Sequence, residues 1–505
     1  MRIAVRLDRL RLMRWHLILI DALRQQGHAV GVGFCRDTQP IPASLRALLK
    51  FEAMRFRLPN TRLSVRVGLP VAETSISERD DPDLTIDLSG ARASETSGGR
   101  VLRPLYNGVA DDDVLFHTLL TGHAPALALE DSADNRIWPI GHPAIEQPER
   151  MAISLDQTLS RLVEGLVRVI SDIAAGRQTP PDTSQGELPA APQGSMLSAV
   201  AEFGQRAAAS KLSRLRDRVV GDVPRWRVAW RMRDTDTASE CELQIRDFHL
   251  LPDDGRRFFA DPFVLVRDGL FHVFVEELPH DPGIGLISHF TISEIGEATA
   301  PRPVLQTGTH LSYPFVFEHD GETWMMPESS ASGGLDLYRC TRFPDAWTHE
   351  ARLLEGRFHD ATLFAYEGRL WIAAATDVLQ SSTWDALSFF HADTLAGPWT
   401  PHAGNPVLVD ARLARPAGPL WRSGGNLFRP AQDCRDGYGR KLILRKILRL
   451  TPTEFAEETV GTLCFNPEAR ISGPHTISRA GRLEIIDLFA RNRDLSNAQE
   501  QPIRR

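Results

Sequence analysis

Two periodicities divide the chain. Up to about residue 176, short apolar runs alternate with helical stripes. Residues 3–7 form one such run, Trp15, Leu19, Ile20 and Leu23 then recur at helical spacing until Gly27, and residues 29–32 open another strand. Residues 84–88 fit a further strand. Ser154 is placed to cap a helix from Leu155 to about Ala174 whose Leu159, Leu162, Val163 and Leu166 make one stripe. This order predicts an α/β, Rossmann-like domain with an open sheet over residues 1–176. Between 177 and 195 the text RQTPPDTSQGELPAAPQGS holds too few large apolar residues to offset its ordering entropy and reads as a linker. A short helix over 196–220, with Leu197, Val200 and Phe203 on one side, is expected to pack on the domain that follows, so that linker and helix occupy 177–223.

From about residue 224 the pattern changes to β, and a unit repeats. The segments are ADPFVLVRDGLFHVFVEE, SYPFVFEHDGETWMMPES, HDATLFAYEGRLWIAAAT, PAGPLWRSGGNLFRPAQD and GPHTISRAGRLEIIDLF, each a strand, a tight turn ending in glycine and a second strand. The turn glycines Gly269, Gly321, Gly368, Gly425 and Gly481 lie 52, 47, 57 and 56 residues apart, enough for one four-stranded blade each. Residues 224–495 are therefore predicted to form an all-β, five-bladed β-propeller. Too little chain follows Phe489 to complete blade five, so residues 226–232 and 241–249 are expected to close the ring. A two-sheet sandwich of hairpins is the competing arrangement.

Composition narrows the function. With 65 acidic against 58 basic residues, a formal charge of −7 and no long block of either sign, a nucleic-acid partner is not expected. The 42% hydrophobic and 24% charged content is that of a globular protein. The amino terminus lacks the basic tip, continuous apolar stretch and cleavage site of a secretory signal, and no apolar run approaches the ~20 residues of a membrane span. Cys35, Cys241, Cys340, Cys434 and Cys464 are odd in number and unpaired in spacing. A soluble, cytoplasmic protein is the expectation.

The repeat also locates candidate chemistry. Residues just before each innermost strand converge on one mouth of a propeller's channel, and in register these are Asp261, Tyr313, Asp360, Ala417 and His475. The second strands return to that mouth carrying Glu276, Glu277, Glu328, Thr376, Gln432, Asp433 and Asp487, with His359, Arg415 and Arg429 nearby. Carboxylates for acid–base work beside planar polar groups suit a sugar. The plainer alternative is that Asp261 before Pro262 and Asp360 before Ala361 shape strand entries, that Glu277 and Glu328 are solvated strand ends, and that His475 is structural. Trp324, Trp371 and Trp421 read as packing between blades. No metal site is expected, and the sequence identifies no cofactor: no GxGxxG follows the first strand.

The stretch from about 240 to 490, with FADPFVLVRDG, SYPFVFEHDG, MMPES, HDATLF, GNPVLVDARLARPAGPL and RPAQDCRDGYG, resembles the amino-terminal domain of the plant glucosamine inositolphosphorylceramide transferases and its bacterial relatives. That resemblance implies glycan or glycolipid synthesis. The plant proteins continue into an exostosin-like glycosyltransferase domain that these 505 residues do not contain, so the likeness does not carry transferase activity with it. More distantly, five blades and an ADP opening look like arabinanase and fructosidase glycosidases, whose two Asp and one Glu match Asp261, Asp360 and Glu328 in type. In the first half, LYNGVADDDVLFHTLLTGHAPALALEDSADNRIWPIG followed by ISLDQTLSRLVEGLVRVI resembles the second half of formyltransferase domains. Those enzymes use an Asn, a His and an Asp. Here Asn107 and Asp134 remain, but residues 89–107 contain no histidine, which implies a non-catalytic relic, with a nucleotide-like ligand or a docked protein partner as its expected uses.

Three functions follow. In the first, a glycan-processing or glycosyl-transferring enzyme uses the mouth, with Asp261 as base or nucleophile, Glu328 or Glu277 as general acid and Asp360 as an orienting group, while Tyr313, His359, Arg415, Arg429, Gln432, Asp433 and His475 bind the sugar. In the second, the same residues only bind carbohydrate. In the third, the first domain transfers a formyl group.

Overall fold

The computed structural model describes residues 1–35, 40–68, 82–90, 99–177, 194–233, 242–252 and 254–500. Most of the expected linker and Cys241 lie outside them. Contacts divide the chain into two units, 1–215 with 378–382, and 216–377 with 383–505. Among the described residues no helix is long and apolar enough to cross a membrane.

The first unit runs β1 (Arg2–Leu7), α1 (Arg14–Gln25), β2 (Ala29–Phe34), α2 (Ala43–Arg55), β3 (Leu84–Leu88), β4 (Val101–Tyr106), α3 (Asp112–Leu120), β5 (Leu127–Asp131), β6 (Arg136–Gly141), α4 (Met151–Ala174) and α5 (Met196–Val220). One sheet of order β2-β1-β3-β4-β5-β6 is parallel from β2 to β4 and antiparallel thereafter. Ile3, Val5 and Leu7 alternate into the core, where Leu19, Ile20 and Leu23 of α1 and Leu155, Leu159, Leu162 and Leu166 of α4 meet them.

Two local expectations change. Helix α4 begins at Met151, so Ser154 lies inside its first turn and bonds the Arg150 carbonyl. Its open N–H groups are met by a residue remote in sequence: buried Glu52 accepts from Met151 N at 3.0 Å and Ala152 N at 2.7 Å. The amino-terminal part of helix α5 packs on the first unit, because Phe203 with Met196, Ala199 and Val200 joins that unit's core while Leu197 faces solvent, whereas from Arg216 on the helix belongs to the second unit, as expected, and Asp217 pairs with Arg491.

The second unit is the five-bladed propeller. Its strands are β7 (Arg225–Met232), β8 (Glu242–Leu243) and β9 (His249–Leu250), then blade one, β10 (Arg257–Arg267), β11 (Leu270–Pro279), β12 (Leu286–Ile292) and β13 (Arg302–Leu305). Blade two is β14 (Ser312–His319), β15 (Glu322–Glu328), β16 (Gly334–Arg342) and β17 (Ala346–Glu355). Blade three is β18 (Phe358–Tyr366), β19 (Arg369–Thr376), β20 (Ala386–Ala392) and β21 (Thr400–Pro401), with β22 (Leu408–Val409) against β20. Blade four is β23 (Trp421–Ser423), β24 (Asn426–Asp433), β25 (Lys441–Leu450) and β26 (Phe455–Phe465). Blade five joins β27 (Ile477–Ala480) and β28 (Leu483–Ala490) to β7 and β9, so the ring closes with strands from both ends of the unit. The short β8 departs from expectation by pairing in parallel with β26 of blade four.

The hairpin turns explain the repeat. Asp268-Gly269, Asp320-Gly321, Glu367-Gly368 and Gly424-Gly425 hold both central residues at positive φ, the conformation a two-residue turn needs to match strand twist and one that glycine adopts without strain.

Candidate functional site

In the first three blades the residue at the channel entry sits in the left-handed region, Asp261 at φ 50°, Tyr313 at 42° and Asp360 at 52°. At each one the ladder slips, between Ala260 and Phe263, Ser312 and Phe315, and His359 and Thr362. These are β-bulges, and each non-glycine residue so held costs about 1–3 kcal/mol that the surroundings must supply. The backbone N–H freed by each bulge is bound by a carboxylate from the preceding blade: Asp261 N donates to Asp487 Oδ2 at 3.0 Å, Tyr313 N to Asp261 Oδ2 at 3.2 Å, and Asp360 N to Glu328 Oε2 at 2.9 Å.

Two charged clusters grow from these latches. Asp261 Oδ1 accepts from Thr476 Oγ1 at 2.7 Å and lies 3.2 Å from His475 Nε2, while His475 Nδ1 is 2.6 Å from Asp487 Oδ2. Burial, reinforced by the charges of Glu276 and Asp360 and opposed by His475, pushes the Asp261 carboxyl up to about 8. His475 is pulled down by burial, but Asp487 and Asp261 outweigh it and raise the imidazole to about 9. In the second cluster, Arg415 Nε and Nη2 grip Asp360 at 2.6 and 3.2 Å, and Gln432 Nε2 donates to Asp360 Oδ2 at 2.8 Å. His359 joins Glu328 Oε1 to Asp377 Oδ1, 2.9 Å from each. Burial raises Asp360 to about 6. Burial also works against the charge on Glu328, yet His359 and Arg415 bring that carboxyl down to about 2. His359 overcomes its own burial through Asp377 and Glu328 and rises to about 9.

The structure thus brings Asp261, Glu328, Asp360, His359, Arg415, Gln432 and His475 to the mouth. Four expected members offer no side-chain group there. Glu277 points to the opposite face of β11 from Glu276 and is taken by Arg257 and by Ser288 Oγ at 2.6 Å. Tyr313 is fully buried, with its hydroxyl accepting from Gly418 N at 2.7 Å and meeting Thr362 Oγ1 at 2.9 Å, so it braces blades and offers no group to a ligand. Arg429 lies in the blade-four core, gripping Glu457 at 2.7 and 3.1 Å. Asp433 is paired with Arg435 and Lys441. Trp371 is buried and packs on Phe389, in line with the packing role read for it.

Sequence reasoning missed the wall beside these clusters. Tyr438 lies under the Arg415 guanidinium at 5.0 Å, 5.4 Å from the Trp384 ring and 5.3 Å from His475, which in turn stacks on Trp226 at 4.0 Å. Trp226, Trp384 and Tyr438 are each half-buried. The loop can approach because residue 439 is glycine: a Cβ there would stand 2.5 Å from His475 Cβ. The DGYG run after β24 was the available signal. Glu276 also belongs here, with His310 Nε2 at 3.1 Å from its Oε1.

The first unit has a cleft at the carboxyl ends of its parallel strands, lined by Trp15, Asp87, Ser89, Arg103, Tyr106 and Asp112 among others. Asn107 and Asp134 do not line it. Asn107 fastens its own loop, accepting from Ala126 N at 2.9 Å, and Asp134 pairs with Arg136 at 3.0 Å.

Residues 252–488 match the family described as glucosamine inositolphosphorylceramide transferase 1, N-terminal. The chain is similar to glucosamine inositolphosphorylceramide transferase 1 of Oryza sativa subsp. japonica, 38% identical over 213 residues, or 40% of this chain and 28% of that protein. It is 32% identical over 207 residues to the Arabidopsis thaliana protein of the same name, or 40% of this chain and 27% of that one. The chain therefore spans little more than a quarter of these relatives' length. Among solved structures, the exo-β-1,3-galactanase 1,3Gal43A of Clostridium thermocellum aligns at 12% identity and TM-score 0.35 over 46% of this chain and 59% of its own. The GH62 α-L-arabinofuranosidase catalytic domain of Coprinopsis cinerea aligns at 13% and 0.35 over 53% and 98%. Likenesses this slight carry no argument about chemistry.

Proposed function

We propose, from the premise that residues 252–488 belong to the glucosamine inositolphosphorylceramide transferase N-terminal family, that this is a carbohydrate-active protein whose propeller mouth binds the sugar of a glycan or glycolipid and acts on it. The observation that carries this reading is the half-buried aromatic wall of Trp226, Tyr438 and Trp384 standing beside a buried carboxyl that holds a proton near neutral pH. Aromatic faces accept the C–H face of a pyranose, and fixed polar groups select its hydroxyls. The electrostatics reverse the roles expected from sequence. Asp261, raised to about 8, is the proton donor, while Glu328, lowered to about 2, stays charged and orients Asp360 and His359.

Binding without turnover is the second reading. It is favoured by the engagement of both carboxyls: the oxygens of Glu328 are bound to His359 and to Asp360 N, and those of Asp261 accept from Thr476 Oγ1 and from Tyr313 N. Calorimetric titration of glucosamine and of inositol-phosphate glycolipids into the full chain tests the proposal. Trp384→Ala is expected to weaken binding by about tenfold through loss of ring contact. Asp261→Asn is expected to leave binding intact and to lower any turnover by orders of magnitude. Binding that Trp384→Ala loses, with no turnover of any bound sugar by the wild-type chain, selects the binding-only reading, and normal turnover in Asp261→Asn removes Asp261 from the role of proton donor. Binding indifferent to Trp384 and Tyr438 sinks the site.

A further inference from the structure

Helix α5 carries an apolar stripe that the described residues leave exposed. Phe203 anchors one side of the helix in the first unit's core. On the opposite side Leu197, Leu212, Leu215 and Val219 are 70, 66, 57 and 80% exposed. At 3.6 residues per turn, Leu212, Leu215 and Val219 fall within about 60° of one another. Lys211 and Arg218 rim this stripe on one side and Arg216 on the other, all exposed. The segment KLSRLRDRVV holds four basic residues against one acidic residue, Asp217, which is shared between Arg491 and, at 3.6 Å, Arg216, while Arg214 is ion-paired to Glu149. This is a local excess of positive charge on a chain whose formal charge is −7.

We propose that the carboxyl-terminal half of α5 is a membrane-surface element that lies in the interface of an anionic lipid bilayer. Leu212, Leu215 and Val219 enter the acyl boundary, and Lys211, Arg216 and Arg218 meet the headgroups. An apolar stripe bordered by cations is the pattern that binds such an interface, where each half contributes: burial from the stripe, Coulombic attraction from the rim. A second copy of the helix is the poorer occupant, because it would bring an identical basic rim against this one. The inference does not rest on the reading of the propeller mouth, and sugar binding is measured separately.

The test is flotation of the full chain with phosphatidylcholine vesicles, with and without about 30% phosphatidylserine. The chain is expected to float with the anionic vesicles and to be released by salt. Replacing Lys211, Arg216 and Arg218 by Gln is expected to weaken binding on the order of a hundredfold, from about fivefold per charge. Leu212→Gln, Leu215→Gln and Val219→Gln together are expected to abolish it with an unchanged unfolding midpoint, since all three side chains are exposed. If the wild-type chain stays with the protein fraction, or floats equally with uncharged vesicles, the proposal is overturned. It is equally overturned if the chain forms a concentration-dependent dimer that the apolar triple variant dissociates, for the stripe is then a protein interface.

Discussion

Two buried arginines of the propeller look alike one by one and differ in what surrounds them. Arg429 grips Glu457, which is also held by Arg445 at 3.0 Å, and its remaining donors reach the Leu413 and Ala414 carbonyls. That network is closed on itself within blade four. Arg415 grips Asp360 just as tightly, yet its neighbours are a carboxyl raised to about 6, another lowered to about 2 and the half-buried Tyr438 ring. A buried ion pair alone marks a fold as readily as a site. What separates the two is a set of neighbours with opposed protonation tendencies next to a half-buried aromatic cluster.

Breaking the closed network should have the largest effect. Glu457→Gln leaves two buried guanidinium groups without their carboxylate and should cost about 3–5 kcal/mol in urea unfolding, with ligand affinity of the folded fraction unchanged. Asp360→Asn should cost less, about 2 kcal/mol, because Arg415 keeps Glu328 at 3.8 Å, but it should abolish sugar binding. If Asp360→Asn lowers stability alone, the mouth is as structural as the core of blade four. A control outside the propeller is Glu52→Ala, which uncaps α4 and should cost about 1–2 kcal/mol with the mouth unaffected.

The comparison is sharpened most finely by pH. Asp261 keeps its proton in the folded protein up to about 8 while an unfolded Asp loses its own near 4, so stability falls as pH rises through that interval. His475 acts in the same sense higher up: its contribution is full below about 6.5, the unfolded value, and is lost as pH passes about 9. Urea midpoints should therefore decline between about pH 6.5 and 9, and Asp261→Asn with His475→Gln should make the decline shallower, leaving the part that His359, also raised to about 9, contributes. A midpoint that rises across this range contradicts the assignment.

Much of this was written locally and some of it was not. The turn glycines fixed blade number because a two-residue turn demands positive φ, and the register they set found Asp261, Asp360 and His475. Glu276 and Glu277 could not be separated, since a one-residue uncertainty in a strand reverses its face. Arg429 could not be told from Arg415, because its partner Glu457 stands two strands away in a pairing that no linear pattern displays. The start of α4 was misplaced because its cap comes from Glu52, on another helix. Trp226, Trp384 and Tyr438 come from a strand and from segments between strands, so nothing in the sequence announces that they meet.

The closing seam of the ring has a consequence for synthesis. Strand β7 pairs with β28, Arg225 opposite Ala490 and Met232 opposite Leu483, so its long-term partner is translated only after four whole blades have been made. During that interval β7 is an edge with open donors and acceptors, the kind of template on which a nascent chain pairs wrongly or with its neighbour on the polysome. The last strand of the propeller to leave the ribosome is thus the one that protects its first.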